Sequence, residues 1–158
     1  IIRSDGKRKL ILANDRIDSP EYIRILKSAL PHVYTTRFIL QQDGARAHTS
    51  STTTSYLEAN SIRYLRQWPA QSPDLNIIEG FWDELKQRIQ CRPIKNRLEL
   101  WQVANECWNE IPDERIVRAY ELLLNRIQSV IKQRGGNSKY WQLYIFCLCT
   151  ICVSFLFK

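Results

Sequence analysis

The chain has 158 residues, 44% of them hydrophobic and 25% charged, enough for one domain with a sizeable core and too apolar for disorder as the main state. Its 23 basic residues outweigh 16 acidic ones for a net charge of +7, which favours a polyanionic partner: nucleic acid, or an anionic membrane face. Five cysteines, three of them crowded at Cys147, Cys149 and Cys152, exclude a paired disulfide framework and make a reducing compartment the default.

The opening Ile1-Ile2-Arg3-Ser4-Asp5 lacks the apolar segment of a signal peptide. With no methionine anywhere, a fragment whose beginning is lost is expected. Lys9 to Ala13 reads as a short strand after an Asp5-Gly6 turn. Ser19-Pro20-Glu21 is a helix start, with Ser19 as cap, Tyr22, Ile23, Leu26 and Leu30 facing the core, and Pro31 as its end. Phe38-Ile39-Leu40 is an unbroken apolar run, the pattern of a strand covered on both faces, and it places Asp43 at the strand's carboxyl end.

Thr49 to Asn60 reads as a helix and Ile62 to Leu65 as a second buried strand. Trp68 to Asn76 holds two prolines and no period, so it is a loop, with Asn76 placed to cap the next helix. In that helix Ile78, Phe81, Trp82, Leu85 and Ile89 share one face, and Glu79 lies in the first turn. Arg97 to Ile111 follows as a helix turning Leu98, Trp101, Ala104, Trp108 and Ile111 inward. A last helix starts at Pro112-Asp113-Glu114, buries Ile116, Tyr120, Leu124, Ile127 and Ile131, and stops at Gly135-Gly136. Strands alternating with helices, then helices alone, indicate an α/β layer with helical additions.

Two carboxylates stand out. Asp43 at a strand end and Glu79 at a helix start would both reach one rim of the sheet, where ligands of open α/β folds collect. Oxygen ligands so placed suit Mg²⁺, which takes carboxylates, water and phosphate oxygens. The plainer alternatives are a turn residue before Gly44 for Asp43, and a favourable charge on the helix dipole for Glu79. Spacing alone favours those alternatives.

FILQQDGARAHTS (residues 38–50) and WPAQSPDLNIIEGFWDELK (68–86) resemble the signature blocks of the Tc/mariner superfamily of DNA transposases, in the acid-triad form ending in Glu. DSPEYIRILKSALP (18–31) and VIKQRGGNSKY (130–140) extend the likeness over roughly residues 1–140. The resemblance implies a partial DDE catalytic domain over 1–140 with a ribonuclease-H-like mixed α/β sheet, flanked by helices, lacking its first strand and ending in a helical part. It implies that Asp43 and Glu79 are catalytic and metal-binding, with Mg²⁺ or Mn²⁺ as cofactor. It also implies DNA as partner (terminal inverted repeats and target DNA in intact relatives), a homodimer as a further form, and the nucleus as compartment. His48 and Asn76 occupy motif positions near the acids; a backbone-bonded helix-start role is slightly favoured for His48. Asp74 is a rival ligand, better explained as a loop-stabilising residue.

The match has departures. The interval from Asp43 to Glu79 is one residue longer than that branch usually shows. Gly44 replaces the usual Asn, and no proline follows in Ala45-Arg46-Ala47, which loosens the turn that aims Asp43. Gly80 replaces the Asn after Glu79, at a helix cost of up to about 1 kcal/mol. The family's first Asp and its N-terminal DNA reader have no counterpart here, and Asp5, Asp15 and Asp18 are not substitutes. The chain by itself is therefore expected neither to cut nor to join DNA. The alternative is a non-catalytic nucleic-acid-binding remnant.

Lys86, Arg88, Arg92, Lys95 and Arg97 cluster in and after the Glu79 helix, where phosphate contact and a merely solvated basic face weigh equally. Trp101 and Trp108, seven apart, belong in a core rather than against bases. Residues 141–158 are nearly all apolar and fall outside the expected domain. They read as translated flanking sequence, with a short membrane anchor as the runner-up and a zinc site disfavoured for want of partners.

Overall fold

The structure is a computed structural model describing residues 1–14, 16–68, 72 and 75–134. It divides into two compact units, one built from residues 11–68 and the other from 1–10 together with the described residues from 72 onward. The apolar tail, the Gly135-Gly136 stop, Asp15 and Asp74 lie outside the described residues.

The expected ribonuclease-H-like mixed sheet is overturned. Helix accounts for 58% of the described residues, and no strand forms among them. Two isolated bridges remain: an antiparallel one between Ile2 and Arg8, and a parallel one between Leu40 and Tyr64. At the second, Leu40 N–H donates to the Arg63 carbonyl (2.8 Å) and Leu65 N–H donates to the Leu40 carbonyl (3.0 Å). A ladder needs several consecutive pairs, and these runs join at one residue only. Ile39, expected under cover on both faces, is 47% exposed. Lys9 to Ala13 joins no ladder either. Asp43 thus follows a loop segment and not a buried strand.

In the unit spanning 11–68, α1 runs Ser19–Val33, α2 Arg46–Thr49 and α3 Ser51–Ala59. The cap of α1 is Asp18, whose carboxylate accepts from Glu21 N–H at 2.9 Å, one residue before the expected Ser19. Pro31 lies inside the helix instead of ending it; the chain leaves helical geometry at Tyr34, whose N–H still reaches the Leu30 carbonyl. A proline so near the end costs little, because few turns remain to be disrupted. Leu26, Ala29, Leu30 and Val33 form the buried stripe. Against it stands α3, capped by Ser50, with Leu57 and Thr53 fully enclosed. Thr53 Oγ1 donates to the Ala47 carbonyl at 2.6 Å, which satisfies the buried hydroxyl and ties α2 to α3. Ser19 Oγ donates to Ser50 Oγ at 2.7 Å, holding the start of α1 at the α2–α3 junction.

In the other unit, α4 runs Ile78–Gln90, α5 Arg97–Asn109 and α6 Asp113–Lys132. Phe81, Leu85 and Ile89 are the buried face of α4, while Ile78 and Trp82 are only partly covered. Asn96 caps α5 by accepting from Glu99 N–H at 2.9 Å. The inward face of α5 is Leu100, Ala104, Cys107 and Trp108; Leu98, expected inside, is 67% exposed. On α6 only Ile116 and Ala119 are buried, whereas Leu124 and Ile131 are 64% and 70% exposed. The amphipathic period is real, but full burial along α6 is confined to its first two turns. Residues 1–10 fold into a tight reversal at Gly6 and attach to the helices through Arg8, whose guanidinium donates to Asp113 (2.6 Å) and to the Asn109 carbonyl (2.9 Å).

Candidate functional site

Asp43 sits in the bend between the Leu40 bridge and α2. Its Oδ1 accepts two hydrogen bonds, from Ala45 N–H at 3.0 Å and from His48 Nδ1 at 2.6 Å. The first is a local turn bond of the kind Asp forms two residues ahead. The second brings back a side chain one short turn later. The His48 bond, with help from the Ala45 amide, holds the Asp43 carboxyl below the usual carboxylate range against its partial burial. An ionised carboxylate can only accept, so Nδ1 of His48 carries the proton. His48 was expected to bond backbone; its ring bonds Asp43 instead.

Two residues that the sequence did not single out as site candidates complete the cluster. The Tyr22 ring lies over the His48 imidazole, centroids 4.0 Å apart and planes tilted by 38°. The Tyr22 hydroxyl donates to Gln42 Oε1 at 3.0 Å, and Gln42 Nε2 donates to the His48 carbonyl at 3.0 Å. Burial pushes the Tyr22 phenol upward and the Asp43 charge adds to the effect, so it stays a neutral donor. Tyr22 reads from sequence as an ordinary core residue; its only signal was one turn of helical spacing ahead of Leu26.

Glu79 lies, as expected, in the first turn of α4, where a carboxylate complements the helix dipole. Its N–H donates to the Asn76 carbonyl at 3.2 Å. Asn76 does not cap the helix: the cap position is Ile77, and the Asn76 amide donates to Glu79 Oε1 at 3.4 Å. The two acids thus belong to different units, each with its own surroundings.

The basic cluster splits. Lys86 pairs with Asp83 (3.4 Å), Arg88 with Glu84 (2.8 Å) and Glu110 (3.5 Å), and Arg92 with Glu110 (3.2 Å). Lys95 and Arg97 are exposed and form no ion pair among the described residues. Three of the five positive charges are therefore locally balanced.

For a divalent ion the donor chemistry fits at Asp43: an ionised, half-exposed carboxylate with one oxygen oriented by hydrogen bonds and the other, Oδ2, accepting none among the described residues. Among the described residues no group of three metal-ligating side chains comes together. That does not conflict with Mg²⁺ chemistry, which needs only one or two carboxylates beside water and phosphate.

Comparison with known proteins gives the family of the chain. The family profile described as DDE superfamily endonuclease matches residues 2–101. The Tc1 transposase of Caenorhabditis elegans is 34% identical over 103 residues, covering 65% of this chain and 37% of the relative. The Tc3 transposase of the same organism is 29% identical over 140 residues, covering 85% and 42%. The Tcb1 transposase of Caenorhabditis briggsae is 31% identical over 103 residues, covering 65% and 37%. The chain belongs to the DDE superfamily endonucleases, in their Tc/mariner transposase branch. It spans about two fifths of the length of the curated relatives it matches. Endonucleases of this superfamily generally depend on divalent metal. No helix among the described residues is long and apolar enough to cross a membrane.

Proposed function

We propose that this chain is catalytic-domain material of a cut-and-paste transposase, acting on DNA in the nucleus, in which Asp43 and Glu79 are the cation-holding carboxylates. Support for Asp43 comes from its geometry: a deprotonated carboxylate with Oδ1 occupied by His48 and Ala45 and Oδ2 left to bind. Support for Glu79 comes from its motif position and its place in the first turn of α4. The ion is Mg²⁺ or Mn²⁺, since both favour carboxylate oxygen. When bound, such an ion polarises a phosphodiester and activates the attacking oxygen. The chain's own part is to hold the carboxylates ionised and aimed, and to draw the DNA backbone near. Lys95 and Arg97, which form no ion pair among the described residues, are the best-placed of the five basic residues for phosphate contact.

The experiment is Mn²⁺ binding to the purified chain by electron paramagnetic resonance, comparing wild type with Asp43→Ala and Glu79→Ala. Each substitution is expected to weaken binding by roughly tenfold or more, as loss of a charged ligand does. Unchanged affinity in both variants would reject the reading.

A second reading is a DNA-binding remnant without catalysis, for which the exposed Lys95 and Arg97 would supply phosphate contacts. It expects salt-dependent DNA binding that survives both alanine substitutions and no strand cutting at any metal concentration.

A further inference from the structure

We infer that Tyr22 is a positioning residue for Asp43, acting through His48 and fixing which carboxylate oxygen is presented. The metal-binding half of this assignment rests on the reading of Asp43 as a cation ligand. Asp43 Oδ1 already accepts from His48 Nδ1 and Ala45 N–H, so ligands meet Oδ2 alone. That arrangement lasts only while the His48 ring keeps its orientation. One hydrogen bond does not stop an imidazole from swinging about the bond axis; a second plane of contact does.

Tyr22 supplies that plane and closes a loop. Its ring covers the imidazole face at 4.0 Å. Its hydroxyl donates to Gln42, and the Gln42 amide donates to the backbone carbonyl of His48. The direction along this path is fixed, because a carbonyl only accepts, which leaves Gln42 Oε1 facing the tyrosine hydroxyl. One side chain therefore restrains His48 at both its ring and its backbone. Gln42 is 9% exposed and the His48 side chain 13%, so water has little access to compete for these bonds. The anchor is the core itself: Tyr22 lies one turn ahead of Leu26, on the stripe that Leu26, Leu30 and Val33 bury. Packing of α1 thus sets the tyrosine, the tyrosine sets the histidine, and the histidine sets the acid. His48, one hydrogen bond removed from the ligand, is the kind of partner whose loss changes metal affinity by about 10–100-fold, and Tyr22 acts on that affinity through it.

The test uses the whole chain with Tyr22→Phe, which keeps the ring and removes the hydroxyl, and Tyr22→Leu, which removes both. The first readout is the His48 ring N–H in ¹⁵N-histidine NMR, a slowly exchanging signal in wild type. His32, on the exposed side of α1, serves as the internal contrast. Exchange is expected to quicken several-fold in Tyr22→Phe and to become too fast to observe in Tyr22→Leu, with His32 unchanged. The second readout is Mn²⁺ affinity, expected to fall by about 2–3-fold in Tyr22→Phe and about tenfold in Tyr22→Leu. Wild-type exchange together with wild-type Mn²⁺ affinity in either variant would overturn the assignment. Should Asp43→Ala leave Mn²⁺ binding intact, the cation reading fails by itself, and the ring-proton readout still decides whether Tyr22 holds His48.

Discussion

The indole of Trp108 on α5 stacks on that of Trp82 on α4, centroids 5.2 Å apart and planes 23° apart. Trp108 is 1% exposed and its Nε1 makes no hydrogen bond among the described residues, so its contribution is packing. Trp108→Ala is expected to destabilise by about 3–5 kcal/mol, read as a lower urea midpoint. Trp108→Phe should cost clearly less, since no hydrogen bond is lost with the indole. Equal losses would mean that the stacked ring area is not what matters.

Leu98 and Leu100 separate the α5 face read from spacing from the face found. Leu100 is 2% exposed and Leu98 67%. Leu100→Ala is expected to cost about 2–5 kcal/mol and Leu98→Ala under about 0.5 kcal/mol by chemical denaturation. The reverse order would restore the stripe led by Leu98.

Gly6 has φ +90°, and a Cβ built there would come within 2.6 Å of the Asp113 Cβ. Gly6→Ala therefore meets both backbone strain and a clash with a short side chain anchored at the start of α6. Its cost should exceed about 1 kcal/mol in a thermal or urea unfolding curve. A stability gain would show that this turn is not formed in solution.

Glu21 carries the clearest acid dependence. The Arg24 guanidinium, then the Asn14 amide, hold its carboxyl at about 2 against an ordinary 4.5. A depressed carboxyl contributes stability that is present above the unfolded value and lost as pH falls toward the folded one. Urea midpoints of wild type should therefore drop between about pH 5 and about pH 2 more steeply than those of Glu21→Gln. Parallel curves for the two proteins would remove Glu21 from the acid limb.

Much of the helical framework was readable from residue spacing. The α4 face of Phe81, Leu85 and Ile89 recurs at the period of a helix, and Pro69 and Pro73 precede it in the sequence. The strands were not readable in the same way. Phe38 to Leu40 and Ile62 to Leu65 have apolar content suited to a strand, but a strand exists only when a neighbour pairs along its length. Here the two runs meet only at Leu40 and Tyr64. The same limit applies to α6, where Leu124 and Ile131 keep the helical period yet are exposed.

At the candidate site, the order of residues singled out Asp43, Glu79 and the neighbouring His48, because motif chemistry is local in the chain. Sequence by itself determined the charge balance, the helix periods and the family. Tertiary structure alone decided that His48 turns its ring to Asp43, that Tyr22 covers that ring from α1, and that Glu110 balances Arg88 and Arg92. Each of these joins residues far apart in the chain or on different turns, and periodicity can say which side of a helix is apolar but not what another element brings to meet it.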